Sequence, residues 1–354
     1  GDWPSAAEVA RYNRRIRGSL DGKLEALRAP GGGANGHQTE FPNTAMLNVA
    51  IEHRLMHAET LAYMWHQLPP GQKVEQKAAQ GRSKTTSSSS VEPRMVEIPE
   101  GRATLGLSRS SKAFGWDNEY DSSLVDVAAF EIDTYKVTNG QFLQFMSEGG
   151  YANPAFWTPE AWNWITKDNR AHPVFWRRTG EGWHCRTMFD ELPLPLDWPV
   201  YVSYAEASAY ARWAGKKLPT EAQWHRAAYG APDGLERLYP WGDHFSDFSD
   251  DGNFDFRRWD PVPVNAHPHG QSAFGVHDML GNGWEWTSSV FEPFPGFRPF
   301  PFYPGYSANF FDGQHYVLKG GSARTASCML RRSFRNWFQP HYQYIYAAFR
   351  CVNG

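Results

Sequence analysis

A polar segment at residues 71–94 divides the chain into two parts of different character. It contains a run of serines at 87–90 and few apolar residues, a composition that cannot offset its ordering entropy by burying surface. Before it the residue pattern is helical; after Met95 glycine and proline are dense and tryptophan recurs. We therefore predict a helical domain at 1–70, a linker at 71–94 and a second domain at 95–354.

Two helices are predicted in the first part. Ser5 and Glu8 have the spacing of a capping box, which predicts a helix from there to about Leu27. A second helix is predicted to start after Pro42 and to stop before the two prolines at 69–70. Two helices cannot enclose a core by themselves, so this part must pack against something else.

The second part is predicted to be a compact α+β domain with little regular structure. Capping boxes predict short helices at 203–214 and 220–229. Alternating apolar residues predict short strands around 125–127 and 316–319. Elsewhere we expect loops held in place by aromatic side chains.

Composition and charge exclude several classes of function. The net charge is −3, and no long basic run is present, so no nucleic-acid partner is expected. No segment approaches the roughly 18 consecutive apolar residues of a membrane span, and the first residues lack a signal peptide's features. The cysteines, Cys185, Cys328 and Cys351, are widely spaced and odd in number, which fits a reducing cytoplasm better than a disulfide framework. We expect a cytoplasmic protein that acts on small molecules.

His53 and His57 stand four residues apart in the second predicted helix. That spacing places both imidazoles on one helix face, as two ligands of a single metal ion require. We expect this face to be buried, because it carries the apolar residues Met46, Ala50, Leu61 and Met64. A pair of hydrogen-bonded core histidines would give the same pattern, and two ligands do not complete a metal site. A zinc peptidase is disfavoured because Arg54 follows the first histidine, where that class needs Glu.

From Met95 to the C-terminus the chain carries an ordered series of motifs. They lie at residues 135–142, 213–224, 239–242, 278–287, 320–322 and 348–350. In these motifs the chain resembles the formylglycine-generating-enzyme/sulfatase-modifying superfamily, which implies a variant of the C-type-lectin fold. The founding activity of that superfamily relies on a close pair of cysteines after the Gly-Gly-Ser turn. Only Cys328 is present in that region here, so copper-thiolate chemistry is not expected.

The resemblance also bears on the motif at 278–287. We expect Trp284, Glu285 and Trp286 to hold the fold rather than to contact a substrate, because tryptophans supply core area and polar groups fix loops. Some relatives hold a calcium ion through oxygen atoms near such loops, which makes Asn282 and Glu285 candidate ligands for a structural Ca²⁺.

His53, His57 and Glu59 fill a His-x-x-x-His-x-Glu motif, and the segments 114–119 and 333–337 add further matches. In this combination the chain is similar to the sulfoxide synthases of ergothioneine biosynthesis, the EgtB family. The resemblance implies a DinB-like helical bundle, apparently truncated here, followed by the C-type-lectin-like formylglycine-generating-enzyme domain. It further implies that three histidines hold iron(II), and that hercynine, a thiol and dioxygen are the substrates.

The third histidine of such a site is not identified in the sequence. His37 lies in a glycine-rich loop, and His66 faces away at the helix end. The family takes this ligand from an earlier helix, so we expect the sequence to begin downstream of it. The absence of Met at residue 1 agrees with that expectation.

Tyr303 and Tyr306 match a tyrosine pair of the family in which the first member is the catalytic proton donor. A phenol can donate a proton and Phe cannot; the alternative is a pair of core aromatics in a loop rich in phenylalanine. Asn336 and Trp337 match positions near the betaine of hercynine, whose trimethylammonium group is suited to an aromatic face beside an amide. Burial in the core is the alternative for Trp337. Met56 is a further candidate substrate contact.

Phe338 and Tyr342 stand where family members that use γ-glutamylcysteine carry Asp and Arg. The resemblance therefore favours cysteine or another thiol as the sulfur donor, with its carboxylate met by a nearby arginine: Arg324, Arg331 or Arg332. Two alternatives remain: a selenoneine synthase that uses a selenosugar, and a catalytically inactive lectin-like binding module.

Overall fold

The structure, a computed structural model, describes residues 3–28, 43–74, 91–244 and 251–354. The chain forms two compact units, Gly1–Leu47 and Asn48–Gly354. His37 and most of the predicted linker lie outside the described residues. Among the helices that are described, none is long and apolar enough to cross a membrane.

Helix α1 (Ala6–Arg28) lies in the first unit. Its predicted capping box is confirmed, because the Ser5 backbone N–H donates to Glu8 Oε2 at 2.8 Å and the Glu8 N–H donates to Ser5 Oγ at 3.3 Å. Helix α2 (Asn43–His66) begins after Pro42 and ends before the paired prolines, as predicted. It continues from the first unit into the second. The DinB-like character of this part stays a prediction.

The second unit mixes short helices with short strands, as predicted. The helices are α3 (Asn139–Ser147), α4 (Pro159–Lys167), α5 (Tyr204–Trp213) and α6 (Glu221–Tyr229). The predictions for α5 and α6 are confirmed. Helices α3 and α4 were not predicted, although Thr138 and Gln141 form a complete capping box for α3 and Thr158 caps α4.

The strands of the second unit form small separate sheets. In chain order they are β1 (Met95–Ile98), β2 (Gly101–Leu105), β3 (Ser123–Val127), β4 (Phe130–Asp133), β5 (Trp176–Thr179), β6 (Gly182–Arg186), β7 (Glu191–Pro193), β8 (Trp284–Val290), β9 (Tyr316–Lys319), β10 (Asn336–Phe338), β11 (Ala347–Ala348) and β12 (Val352–Asn353). The described strands are ordered β1-β4-β12, β10-β9-β8-β11, β2-β3 and β5-β6-β7 within their sheets. The strands predicted around 125–127 and 316–319 are confirmed as β3 and β9.

The sheet β10-β9-β8-β11 carries the segments that later form the site. Strand β10 pairs antiparallel with β9, with Trp337 opposite Val317. The turn after β9 requires glycine at 320, where φ is +96° and an added Cβ would meet the Met279 carbonyl oxygen at 2.6 Å. This turn brings Ser322 back toward helix α2.

Buried aromatic and ionic groups hold the loops around this sheet. Trp286 is fully buried and its indole N–H donates to the Val202 carbonyl oxygen at 2.9 Å. Glu285 is also fully buried, 3.0 Å from Lys136 Nζ and 2.6 Å from Arg350 Nε. The prediction that Glu285 and Trp286 hold the fold is therefore confirmed.

Candidate active site

The two histidines of α2 lie side by side. His53 Nε2 and His57 Nε2 are 3.3 Å apart, and the rings meet edge to face with centroids 4.5 Å apart. Burial, with a smaller contribution from the charge of His57, lowers the pKa of His53. The neutral form of an imidazole is the form that binds a metal, so this environment favours metal binding at His53.

The prediction that these histidines share a buried apolar face is wrong. His57 is exposed, and its neighbours on that face, Met46, Leu61 and Met64, are each more than half exposed. The buried face of α2 instead carries residues at a spacing of three, four and seven: Glu52, Glu59, Ala62, Tyr63 and His66. Two of these buried residues are glutamates, and each carboxylate has partners in the rest of the second unit.

Glu59 anchors α2 to the turn after β9. Its Oε1 accepts hydrogen bonds from Trp284 Nε1 at 2.9 Å and from Ser322 Oγ at 2.5 Å, and its Oε2 accepts one from Thr325 Oγ1 at 2.9 Å. Burial raises the pKa of Glu59, and these three donors oppose the rise. Trp284 therefore holds the histidine helix as well as the sheet.

Glu52, directly before His53, makes a second anchor. Its carboxylate is 2.7 Å from Arg331 Nη1 and accepts a hydrogen bond from Trp116 Nε1 at 2.8 Å. Arg331 also pairs with the buried Glu119 at 2.5 Å. Two anchors seven residues apart fix the rotation of α2, and so fix the direction in which the histidines project.

Tyr303 and Tyr306 lie side by side with ring centroids 5.5 Å apart, and Tyr303 contacts the histidine pair. Tyr303 Oη is 3.4 Å from His53 Nε2, and the two rings meet edge to face at 5.6 Å. Tyr306 is buried against Trp116, with stacked rings 3.9 Å apart, and its hydroxyl donates to Met56 Sδ at 3.4 Å. Burial raises the pKa of Tyr306 well above the ordinary value, so it stays a phenol.

A cavity of about 380 Å³ opens beside α2. The structure brings the predicted substrate contacts together in its lining: Met56, Asn336, Trp337, Phe338 and Tyr342. Tyr306 and Met56 join this cavity to the histidine pair. The role of each of these residues in substrate binding stays a proposal.

Aromatic faces make up much of the cavity wall. Trp337 has one face covered by Phe291, stacked at 4.1 Å, and meets Tyr306 edge to face at 5.4 Å. Phe338 stacks on Tyr342 at 5.2 Å. The Asn336 side chain oxygen accepts a hydrogen bond from the Trp337 backbone N–H at 2.9 Å, which orients the amide.

The three arginines predicted to meet a substrate carboxylate have other roles. Arg331 pairs with two glutamates, as described above, and Arg332 pairs with Glu236 at 3.2 Å. Arg324 is buried with its guanidinium 3.7 Å from the centroid of the Trp259 ring. None of the three lines the cavity, so this prediction is wrong.

The histidine pair is compatible with one metal ion. Two ligand nitrogens each about 2 Å from an ion and at a right angle to each other lie about 3 Å apart, close to the observed 3.3 Å. Among the described residues, no cluster of three or more His, Cys, Asp or Glu side chains could complete a site.

The calcium prediction does not fit the structure. Glu285 is already held by Lys136 and Arg350, whose positive charges would oppose a bound cation. Asn282 Oδ1 accepts hydrogen bonds from Asn253 Nδ2 at 3.1 Å and from the Val262 N–H at 2.9 Å. Both oxygen donors are therefore committed to protein groups.

Comparison with known proteins agrees with this fold. Residues 80–354 match the family described as the sulfatase-modifying factor enzyme 1-like domain, and the chain belongs to that family. The solved structure of PvdO from Pseudomonas aeruginosa is similar in fold, with a TM-score of 0.50 and 19% identity, covering 73% of this chain and 93% of that one.

Relatives by sequence are named hercynine oxygenases. That of Mycobacterium tuberculosis is 41% identical over 251 residues, covering 70% of this chain and 57% of the relative. That of Mycolicibacterium thermoresistibile is 34% identical over 354 residues, covering 98% of this chain and 74% of the relative. The match to the first relative thus spans little more than half of its length. These relatives confirm the predicted resemblance to the EgtB family.

Sequence reasoning missed several residues of the site. Trp116 lies within the segment 114–119, which the resemblance to the family identified. Nothing in that segment predicted that Trp116 would stack on Tyr306. Glu52 and Arg331 are 279 residues apart, so no local pattern could pair them. His315, which lines the cavity, carries no sequence signal at all.

Proposed function

We propose that this chain is a non-heme iron(II)- and dioxygen-dependent sulfoxide synthase of ergothioneine biosynthesis. It would join the sulfur of a thiol to the imidazole C2 of hercynine and oxidise that sulfur. One C–S and one S–O bond form, a thiol S–H and the C2–H bond break, and O₂ takes up four electrons, giving one sulfoxide oxygen and one water. The observation that carries this proposal is the contact of His53 with both His57 and Tyr303, beside an aromatic cavity.

The roles of the protein groups follow from their positions. His53 and His57 would hold iron(II), which supplies the activation of dioxygen when bound. The Tyr303 hydroxyl, 3.4 Å from His53 Nε2, would donate its proton at the edge of the metal position. Tyr306, stacked on Trp116 and hydrogen-bonded to Met56, would form the part of the cavity lining nearest to that position.

The cavity would hold hercynine through its aromatic end. A trimethylammonium group makes no conventional hydrogen bond but is attracted to the face of an aromatic ring. Trp337 is fixed by Phe291 behind it, and Asn336 lies next to it on β10. This arrangement supports the assignment of both residues to the betaine.

The second substrate would bind a wall formed by Phe338 and Tyr342. Arg335 is the one arginine or lysine in the described lining, and it pairs with Glu221 at 3.1 Å. A donor with two carboxylates would lose hydration here without a cationic partner. This favours cysteine over γ-glutamylcysteine. The same wall supports a second candidate, a selenoneine synthase whose selenosugar carries hydroxyl groups in place of ionised ones.

The test uses the wild-type chain with iron(II), hercynine and either cysteine or a selenosugar in air, with products identified by mass spectrometry. We expect hercynine-bound sulfoxide from cysteine, and its loss in His53→Ala and His57→Ala with unchanged melting temperature. His269→Ala, at an exposed position outside the lining, is the matched control. Binding of hercynine with no product from either donor would indicate an inactive binding module instead.

A further inference from the structure

His315 is the one histidine in the described lining of the cavity, and it has a defined orientation. The residue is 8% exposed, and its Nδ1 lies 2.9 Å from Asp312 Oδ1. The hydrogen bond from the ring lowers the pKa of Asp312, so that carboxylate is ionised. Asp312 thus turns the other ring nitrogen, Nε2, away from itself.

The position of His315 relates it to the betaine end of the cavity. Its ring meets Phe310 edge to face at 5.3 Å, and Phe310 in turn lies 5.6 Å from Trp337. His315 also directly precedes β9, the strand that pairs with the strand of Asn336 and Trp337. A group bound against Trp337 would therefore lie near His315, because the Phe310 ring contacts both residues.

Hercynine carries its carboxylate on the same carbon as its trimethylammonium group, so both groups must bind close together. Glu59, also in the lining, would repel a carboxylate. Arg335 is held by Glu221 and by the carbonyl oxygens of Asn118 and Glu292. His315 is the remaining nitrogen of this kind in the described lining, and its ring can offer one N–H to Asp312 and the other to a substrate carboxylate.

We propose that His315 binds the carboxylate of hercynine through Nε2, with Asp312 as its positioning residue. This inference rests on the proposed function, because it assigns one substrate group within the proposed site. It makes His315 a determinant of specificity for an α-carboxylate beside a quaternary ammonium. A charge-assisted hydrogen bond of this kind corresponds to about 10- to 100-fold in affinity.

The test compares two ligands in direct binding: hercynine and its decarboxylated analogue, which keeps the imidazole and the trimethylammonium group. The wild type should bind hercynine about 10- to 100-fold more tightly. His315→Phe, which keeps ring area, should remove that preference while binding the analogue as the wild type does. Asp312→Asn should reduce the preference in part. His315→Leu, which also lacks a donor, serves in the same role if the Phe variant does not fold.

Phe310→Leu is the matched control, because it alters an apolar neighbour of His315 and should weaken both ligands alike. If His315→Phe lowers affinity for both ligands equally, or leaves the preference intact, His315 does not bind the carboxylate. If the wild type binds neither ligand, the proposed function fails and this inference fails with it. Binding of both ligands with equal affinity by the wild type would overturn the inference while leaving the proposed function standing.

Discussion

Replacing Glu59 tests whether hydrogen bonds to one buried carboxylate hold the histidine helix in place. Glu59→Ala leaves three buried donors, on Trp284, Ser322 and Thr325, without their acceptor. Each unsatisfied buried group costs about 1–3 kcal/mol, and the two hydroxyls can rotate toward other acceptors, so we expect a loss of about 3–5 kcal/mol in the free energy of unfolding.

Glu59→Gln should behave differently. The bonds from Trp284 and Ser322 both end on Oε1, which the amide oxygen can replace, and the amide N–H can donate to the Thr325 hydroxyl. We expect a change within about 1 kcal/mol. Urea unfolding followed by tryptophan fluorescence gives the free energies. Calorimetric titration with iron(II) gives the metal affinity, which should fall in the Ala variant and be largely kept in the Gln variant.

Glu206→Ala is the matched control. Glu206 is a second fully buried carboxylate, on α5, and accepts hydrogen bonds from Tyr151 Oη at 2.5 Å and from the N–H and hydroxyl of Ser203. Its loss should destabilise the protein without changing iron affinity. Equal loss of iron affinity in both Ala variants would attribute the effect to general destabilisation. An equal cost for Gln and Ala at 59 would refute the hydrogen-bond argument.

Further predictions concern chemistry, pH and donor choice. Tyr303→Phe should fold normally and lose sulfoxide formation by about 100-fold or more, with thiol oxidation taking its place; an unchanged product ratio would remove Tyr303 from the mechanism. Burial lowers the pKa of His66 to about 3 from 6.5, and repulsion from Arg186 and Lys73 adds to the shift. The stability that the neutral ring contributes is therefore complete above pH 6.5 and is lost as the pH falls toward 3, by about 1.4 kcal/mol in the free energy of unfolding for each pH unit. Urea unfolding at pH 7 and pH 5 should show a smaller acid loss in His66→Gln than in the wild type, and an identical loss would contradict the assignment. For the sulfur donor, kcat/KM should be higher with cysteine than with γ-glutamylcysteine. A preference for the dipeptide would show that the wall formed by Phe338 and Tyr342 does not determine which donor is used. If neither thiol gives product, the selenosugar becomes the favoured substrate.

Local signals in the sequence were sufficient for much of the fold. The capping boxes at Ser203 and Thr220 each set a helix start, because a cap depends on residues within one turn. The equivalent signal at Thr138 was present but not used, and α3 was missed for that reason. The rest of the domain was predicted from the resemblance to the sulfatase-modifying family, because its strands are too short and irregular to predict from the alternation of apolar and polar residues.

The orientation of α2 could not be predicted from local pattern. An apolar stripe normally marks the buried face of a helix, yet Glu52 and Glu59 are buried because their partners come from distant segments. The prediction that one of the nearby arginines meets the substrate carboxylate was wrong for the same reason, because Arg331 and Arg332 already pair with glutamates remote in sequence. Spacing identified the histidine pair and the resemblance identified Tyr303, but only tertiary structure shows how these side chains meet.

The most direct test of the proposed reaction is one turnover experiment with ¹⁸O₂, iron(II), cysteine and hercynine deuterated at C2, analysed by mass spectrometry. We predict a single conjugate that has lost the C2 deuterium and gained one ¹⁸O on sulfur, and that is absent in His53→Ala. A conjugate that retains the deuterium, or the formation of oxidised cysteine alone with hercynine unchanged, would contradict the proposal.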